Sequence, residues 1–501
     1  MGTRHLRRLA RFVTGSIATF GVALAGPASA APAAIAVFHP TVAEYVQMTT
    51  SDTPPTQAQC ASVHRTCFSP QAIQSAYDLG PLYAKGLNGK GVTIAIVDSY
   101  GSDTIAHDLH VFDQAFGLQP MCGEEGVTCA AGMPTFSELH LFGAPATQAP
   151  PPTSNGTGQE NKSAWALEVS LDVETSHAIA PQANILLVTT PTAETLGVQG
   201  FPDMMNAEQY VVDHHLASVI SQSFASTEEA FGSSTSLLQL RHAFISAAEN
   251  GVTVLGSSGD FGSAGLIKTP VSAGGSLLPN PAVWWPSSDP LVTSVGGTNL
   301  CTDPMATTNQ PRTLYAGPVA RCQGQPTQTE VGWVGSGGGF SHVFSRPGYQ
   351  DTLPAGSTSI GSMRGVPDIG LQSAPRTGAL VFISLPPDGS SGLLCAGVPC
   401  STGWFDIGGT SLACPQWAGL VAIADQLNGG GLGLINPALY KLAAKSTTYA
   451  NDFFDVTTGN NQAFSTIPGY PATTGWDPVT GLGTPNAANL VPDLVKAVNG
   501  H

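Results

Sequence analysis

Gly91-Val92-Thr93-Ile94-Ala95-Ile96-Val97-Asp98 is a near-continuous apolar run that ends on an acid. Such a run predicts a strand buried on both faces, which is what a parallel sheet covered by helices demands. Further buried strands are predicted at 184–189 (NILLVT), 218–221 (SVIS), 252–255 (VTVL) and 292–295. Helical patterns over 165–178, 204–215 and 237–249 lie between the early ones, and a short helix over 71–79 is stopped by Gly80-Pro81. Apolar strands alternating with helices imply an α/β fold built on a mainly parallel sheet flanked by helices. Residues 263–410 are instead rich in Gly, Pro and Ser, with long irregular connections of the kind that wall a cleft. There is no internal repeat.

The ends and the composition narrow the class. Residues 1–30 read as a signal peptide: Arg4, Arg7, Arg8 and Arg11 precede an apolar stretch, and Ala28-Ser29-Ala30 offers a cleavage site. No other stretch is apolar enough for long enough to span a bilayer, so the expectation is a secreted, extracellular protein with no membrane attachment after signal cleavage. Residues 31–68 read as a short Ala/Pro/Thr-rich extension ahead of a domain over 69–501. The formal charge of −16 becomes −20 without the four signal arginines, which excludes a nucleic-acid partner. With charged residues at only 10%, little self-repulsion develops when carboxylates protonate, a composition suited to acidic surroundings. Eight of nine cysteines form sequence-near couples, Cys60 with Cys67, Cys122 with Cys129, Cys301 with Cys322 and Cys395 with Cys400, while Cys414 is left as a buried filler.

Three stretches carry candidate chemistry. In Gly408-Gly409-Thr410-Ser411-Leu412-Ala413-Cys414-Pro415 an alcohol follows a glycine turn at the start of a small-residue helix, with Pro415 suited to the helix's first turn. Ser411 would face the positive end of the helix dipole, where an alkoxide forms at lower cost. In the predicted helix 165–178, Glu168 and Asp172 are four residues apart and share a face with Ala164, Trp165 and Leu171, whereas Ser170, Glu174 and His177 fall opposite, on the side expected to be solvated. Two carboxyls buried together have at least one raised pKa, which suits a base toward an alcohol at acidic pH. Asp260, in Ser258-Gly259-Asp260-Phe261-Gly262, closely follows a predicted strand, and a protonated acid there could donate to a developing oxyanion.

Taken together, the stretches E-V-S-L-D-V-E-T-S-H-A-I-A-P, S-S-G-D-F-G and G-G-T-S-L-A-C-P-Q-W-A-G resemble the sedolisin family, the serine-carboxyl peptidases. V-T-I-A-I-V-D-S-Y, V-I-S-Q-S-F, S-V-G-G-T, G-G-G-F-S-H-V-F and R-G-V-P-D-I support the match from residue 69 onward. The resemblance implies a subtilisin-like fold and an acid-acting peptidase, either an endopeptidase or a tripeptidyl-peptidase. It implies Ser411 as nucleophile, Glu168 as general base and acid, Asp172 as its partner and Asp260 as the oxyanion-hole acid. It further implies a C-terminal calcium-binding loop region with one structural Ca2+ held by the side chains of Asp455 and Asp477 and carbonyls of Val456, Thr473 and Gly475, a set that suits a hard cation. Thr473 stands where a small flexible residue is expected. Protein or peptide substrates and a monomer are the expected partners and state.

Three departures accompany the match. Residues 31–68 are too short for the large folded prodomain that most members carry, Gly408 replaces the usual serine before the nucleophile turn, and Ala225 replaces a glycine. A subtilisin-type triad using Asp98 would need a histidine in an H-G-T context, which the chain lacks. The reading from another class is a non-catalytic secreted binding protein that keeps the fold and the calcium site.

Overall fold

The computed structural model describes residues 44–143, 157–191, 200–267, 277–310, 312–315, 328–386 and 391–500, with side chains of the helix that begins at 157 described from 163. The signal-peptide reading of 1–30 and the pairing of Cys322 lie outside the described residues.

In chain order the strands that position the site are β1 (Glu44–Thr49), β2 (Thr93–Ser99), β3 (Phe136–His140), β4 (Asn184–Thr190), β5 (Val219–Gln222), β6 (Thr253–Ser257), β7 (Thr293–Leu300), β8 (Glu330–Gly332), β9 (Ile369–Gln372), β10 (Ala379–Ile383) and β11 (Gly403–Gly408). The main sheet runs β8-β7-β6-β5-β2-β4-β3, with β9 also pairing β7. Every pairing in it is parallel except β8 with β7. The stretch 91–98 is therefore its central strand, paired with β4 on one side and β5 on the other, and Ile94, Ala95, Ile96 and Val97 are fully buried. A second, antiparallel sheet has the order β1-β11-β10.

The principal helices are α1 (Ile105–Phe116), α2 (Thr157–Ile179), α3 (Phe201–Asp213), α4 (His242–Glu249), α5 (Thr410–Asn428) and α6 (Ala487–Val498). From Thr410 to Asp425 every residue of α5 is buried, so this helix is packed on all sides. It lies against α2, α6 and strands of the main sheet. The Trp417 indole donates to the Gly370 carbonyl at 3.0 Å, and the Ser176 hydroxyl donates to the Pro415 carbonyl at 3.2 Å, which fixes α5 to β9 and to α2.

Several expectations change in detail. Helix α5 begins five residues before Pro415, so the proline sits inside the helix rather than at its first turn. It removes the N–H that the Ser411 carbonyl would otherwise accept. The helix expected over 237–249 is two pieces, Ser234–Leu238 and α4. The stretch 31–68, read as an extension separate from 69–501, is integrated from Glu44 onward: β1 pairs with β11, placing Glu44 opposite Gly408, and Cys60 bonds Cys67 beneath it. Edge strands of mixed polarity such as EYVQMT are half-buried and carry no apolar periodicity to announce them. Cys122–Cys129 and Cys395–Cys400 are also paired, while Cys414 is free and buried.

Candidate active site

The C-terminal ends of β2, β5 and β6 converge with the start of α5, at the edge where open parallel sheets place their ligands. Strand β11 delivers the chain to Gly408-Gly409, and Ser411 lies in the first turn of α5. The two glycines are required here. A Cβ on Gly408 would lie 2.4 Å from the Pro375 nitrogen and 2.5 Å from the Ser373 carbonyl oxygen, and Gly409 has φ +155° while donating to the Ser373 carbonyl at 2.8 Å. The serine expected at 408 would not fit against that backbone.

Helix α2 presents Glu168 and Asp172 one turn apart, both fully buried. The Ser223 hydroxyl, just beyond β5, donates to Asp172 Oδ1 at 3.0 Å, leaving Oδ2 without a partner. The Ser411 hydroxyl is close enough to Glu168 to favour its charged form, although neither Glu168 oxygen has a hydrogen bond of good geometry. Catalytic contacts of this kind commonly tighten only when substrate binds. Asp260 follows β6, and its Oδ1 accepts from the Thr410 amide at 2.7 Å and the Thr410 hydroxyl at 2.9 Å. Its Oδ2 is buried and unpaired. The structure thus brings Glu168, Asp172, Asp260 and Ser411 to one place.

Burial dominates the electrostatics. It raises Glu168 well above the usual carboxyl range, and the neighbouring Asp98 charge pushes it further. Asp172 is raised by burial and then by Asp98 and Glu168. Burial lifts Asp260 to about 7, against the Thr410 donors that favour its charged form. Asp98, at the end of β2, is fully buried, has no partner for either oxygen and is lifted to about 8. Three neighbouring carboxyls in one buried site cannot all ionise together. Asp98, weighed in the sequence as the acid of a subtilisin-type triad, joins the acid cluster through its position at the end of the central strand. Ser223 was missed, since a serine after a strand has no mark of its own.

Glu174 and His177 overturn the expectation of a solvated face: both are fully buried. Besides α5, helix α2 packs against α1 and β10, so its far side is covered too. Glu174 accepts from the Phe382 amide at 3.0 Å, and His177 Nε2 lies 3.0 Å from Asp113 Oδ2. Ala225 is fully buried with Trp284 and Leu266. Burial pushes the Cys414 thiol up to about 12, so it stays protonated and inert.

Near the C-terminus, Asp455 accepts from the Gly475 amide at 3.1 Å, and Asp477 accepts from the amides of Thr473, Val479 and Thr480 at 2.8–3.0 Å. Thr473 does not adopt a positive φ, so its Cβ brings no strain. Among the described residues no group of three or more His, Cys, Asp or Glu side chains is arranged to hold a metal, and no helix is long and apolar enough to cross a membrane.

A serine at the mouth of a buried helix, facing carboxyls where other serine peptidases have an imidazole, defines the serine-carboxyl class of peptidase. No family model matches the chain. It is 29% identical over 489 residues to kumamolisin from Bacillus sp. strain MN-32, covering 94% of this chain and 72% of that protein. It is 31% identical over 299 residues to tripeptidyl-peptidase SED1 from Arthroderma otae and 28% identical over 361 residues to tripeptidyl-peptidase 1 from Rattus norvegicus. Of those two relatives the match spans 40% and 54%. In fold it matches Pseudomonas sedolisin, a serine-carboxyl proteinase solved with two molecules of pseudo-iodotyrostatin, with a TM-score of 0.60 and 24% identity over 85% of this chain and 98% of that one. These matches support the sedolisin family, and the α/β fold is subtilisin-like. The chain is a serine-type peptidase.

Proposed function

We propose that the protein is a secreted peptidase that hydrolyses peptide bonds in acidic surroundings through an acyl-enzyme on Ser411. The observation that carries the reading is the meeting of the Ser411 hydroxyl with Glu168 beside an Asp260 whose Oδ2 is buried and unpaired. Glu168 takes the proton as Ser411 Oγ attacks the substrate carbonyl, and returns it to the leaving amine. Asp172, held by Ser223, and Asp98 share the charge left on the cluster and keep Glu168 in place. Protonated Asp260 donates from Oδ2 to the oxygen that becomes negative, while its Oδ1 stays braced by Thr410. Water then releases the acyl group by the same steps in reverse order. Three disulfides and the absence of a membrane-spanning helix among the described residues support an extracellular setting. The substrates are proteins or peptides, and the expected state is a monomer.

One structural Ca2+ is part of this reading. Asp455 accepts from the Gly475 amide and Asp477 from the Thr473 amide, burial raises both carboxyls, and neither forms an ion pair with a Lys or Arg of the described residues. Their side chains, with the carbonyls of Val456, Thr473 and Gly475, supply the hard oxygen set such a cation takes. Its contribution would be to the stability of the loops, not to the reaction.

The test is cleavage of denatured protein between about pH 3 and 8, a range set by ordinary carboxyl pKa values, with Ser411→Ala alongside. Cleavage confined to the acid side and lost in the variant supports the reading. Wild-type turnover in Ser411→Ala overturns it. The products, tripeptides or mixed fragments, distinguish tripeptidyl-peptidase from endopeptidase action.

A further inference from the structure

A pocket of about 260 Å³ opens beside Asp260, lined by Asn299, Trp333, Pro375, Arg376 and Glu44 among others. The described chain contains five other arginines, Arg65, Arg241, Arg312, Arg346 and Arg364, and each pairs with a carboxylate. Arg376 is exposed and, among the described residues, has no ion pair or side-chain hydrogen bond. The Glu44 carboxylate in the same pocket is engaged by Arg65. The loop that carries Arg376 is fixed to the catalytic machinery: the Gly409 amide donates to the Ser373 carbonyl at 2.8 Å, and the Thr66 amide donates to the Arg376 carbonyl at 2.9 Å. A guanidinium that lines the same pocket as the oxyanion acid and has no partner among the described residues, where the other arginines are paired, is placed to meet charge on the substrate.

We propose that Arg376 is a specificity-determining residue that receives a substrate carboxylate, an acidic side chain or the peptide's C-terminal carboxylate, a few residues from the scissile bond. This rests on the peptidase reading above. The interaction appears as the substrate carboxyl ionises, near pH 4.3 for a glutamate. Pro375 and the Trp333 ring give the pocket an apolar wall against which the stem of a Glu side chain fits.

The experiment uses the full-length secreted enzyme and matched peptides: Glu against Gln at each position flanking the cleaved bond, and free C-terminal acid against amide. The readout is the ratio of kcat/KM within each pair, which cancels any general loss in a variant. At about pH 5 the wild type should favour the charged member at one position by about fivefold, the upper end for an exposed ion pair. Arg376→Gln should bring that ratio to about one, and Arg376→Lys should keep part of it. Whether the side-chain or the C-terminal pair responds identifies the source of the carboxylate. Equal rates within every wild-type pair, or a preference that survives in Arg376→Gln, overturn the assignment while leaving the peptidase reading intact. A wild-type enzyme that cleaves no member of any pair overturns both.

Discussion

Replacing Asp260 separates its two oxygens. Oδ1 braces the nucleophile turn through the Thr410 amide at 2.7 Å and hydroxyl at 2.9 Å, and Oδ2 is the unpaired atom available to a substrate oxyanion. Asp260→Ala removes both functions. Losing one oxyanion donor costs about 10²–10³ in kcat, or about 2.7–4 kcal/mol. Stranding the Thr410 amide should lower stability by about 1–3 kcal/mol. Asp260→Asn keeps an acceptor for Thr410 and should melt like the wild type at acid pH. The sign of the pH effect follows from a carboxyl raised from 3.8 to about 7 by burial. The folded state holds this proton up to about 7, so the wild type loses its donor as pH rises through that value. Stability from the same proton is complete below 3.8 and declines between 3.8 and about 7. An amide does not titrate, so the alkaline fall in kcat/KM assigned to Asp260 should vanish in Asp260→Asn. Profiles of kcat/KM against pH with thermal melts decide the matter. Activity of Asp260→Ala within about threefold of wild type, far short of the expected loss, would refute the reasoning, as would an unchanged alkaline fall in Asp260→Asn.

Further outcomes can be checked in the same preparations. Glu174 is raised well above 4.5 by burial, so its protonated form favours the folded state and that contribution is lost as pH climbs from the ordinary carboxyl range. Glu174→Gln keeps an acceptor for the Phe382 amide and should gain on the order of 1–3 kcal/mol over wild type at neutral pH, with little difference near pH 4, in paired thermal melts; equal pH dependence in the two proteins would count against it. Gly408→Ala drives a Cβ against the Pro375 nitrogen and Ser373 carbonyl oxygen and should cost about 1–3 kcal/mol and much of the activity, whereas unchanged melting would deny the close approach. With Ca2+ at about a hundred times its Kd, chelation should remove about 2.7 kcal/mol of stability. Asp477→Ala should abolish that response, and a wild type insensitive to chelator would rule the ion out.

What the sequence disclosed follows from how strongly burial marks a pattern. The central strand was legible because both faces of a parallel sheet are apolar, and Ile94 to Val97 could be little else. The pairing of Glu168 with Asp172 was legible because spacing of four sets a helix face. The same logic failed for Glu174 and His177, because a helix covered by α5 on one side and by α1 and β10 on the other has no solvated face to predict. Titratable groups there persist by protonation, as burial favours for Glu174, or by pairing, as His177 does with Asp113. Strand β1 was hidden by its polarity, and its pairing with β11 is a contact across more than three hundred residues that local pattern cannot carry. Asp98 was noticed as a residue yet not as a third acid of the cluster, since only the converging strand ends place it beside Glu168.

The central claim is that Ser411 carries the acyl group while carboxyls move the proton. A peptide ester, whose deacylation is the slower step, should accumulate the intermediate at acid pH. Rapid acid quench followed by peptide mapping should find the acyl mass on Ser411, rising with the initial burst and absent from Ser411→Ala. Turnover with the adduct on another residue such as Cys414, or turnover with no adduct under conditions where an ester burst occurs, would contradict the account.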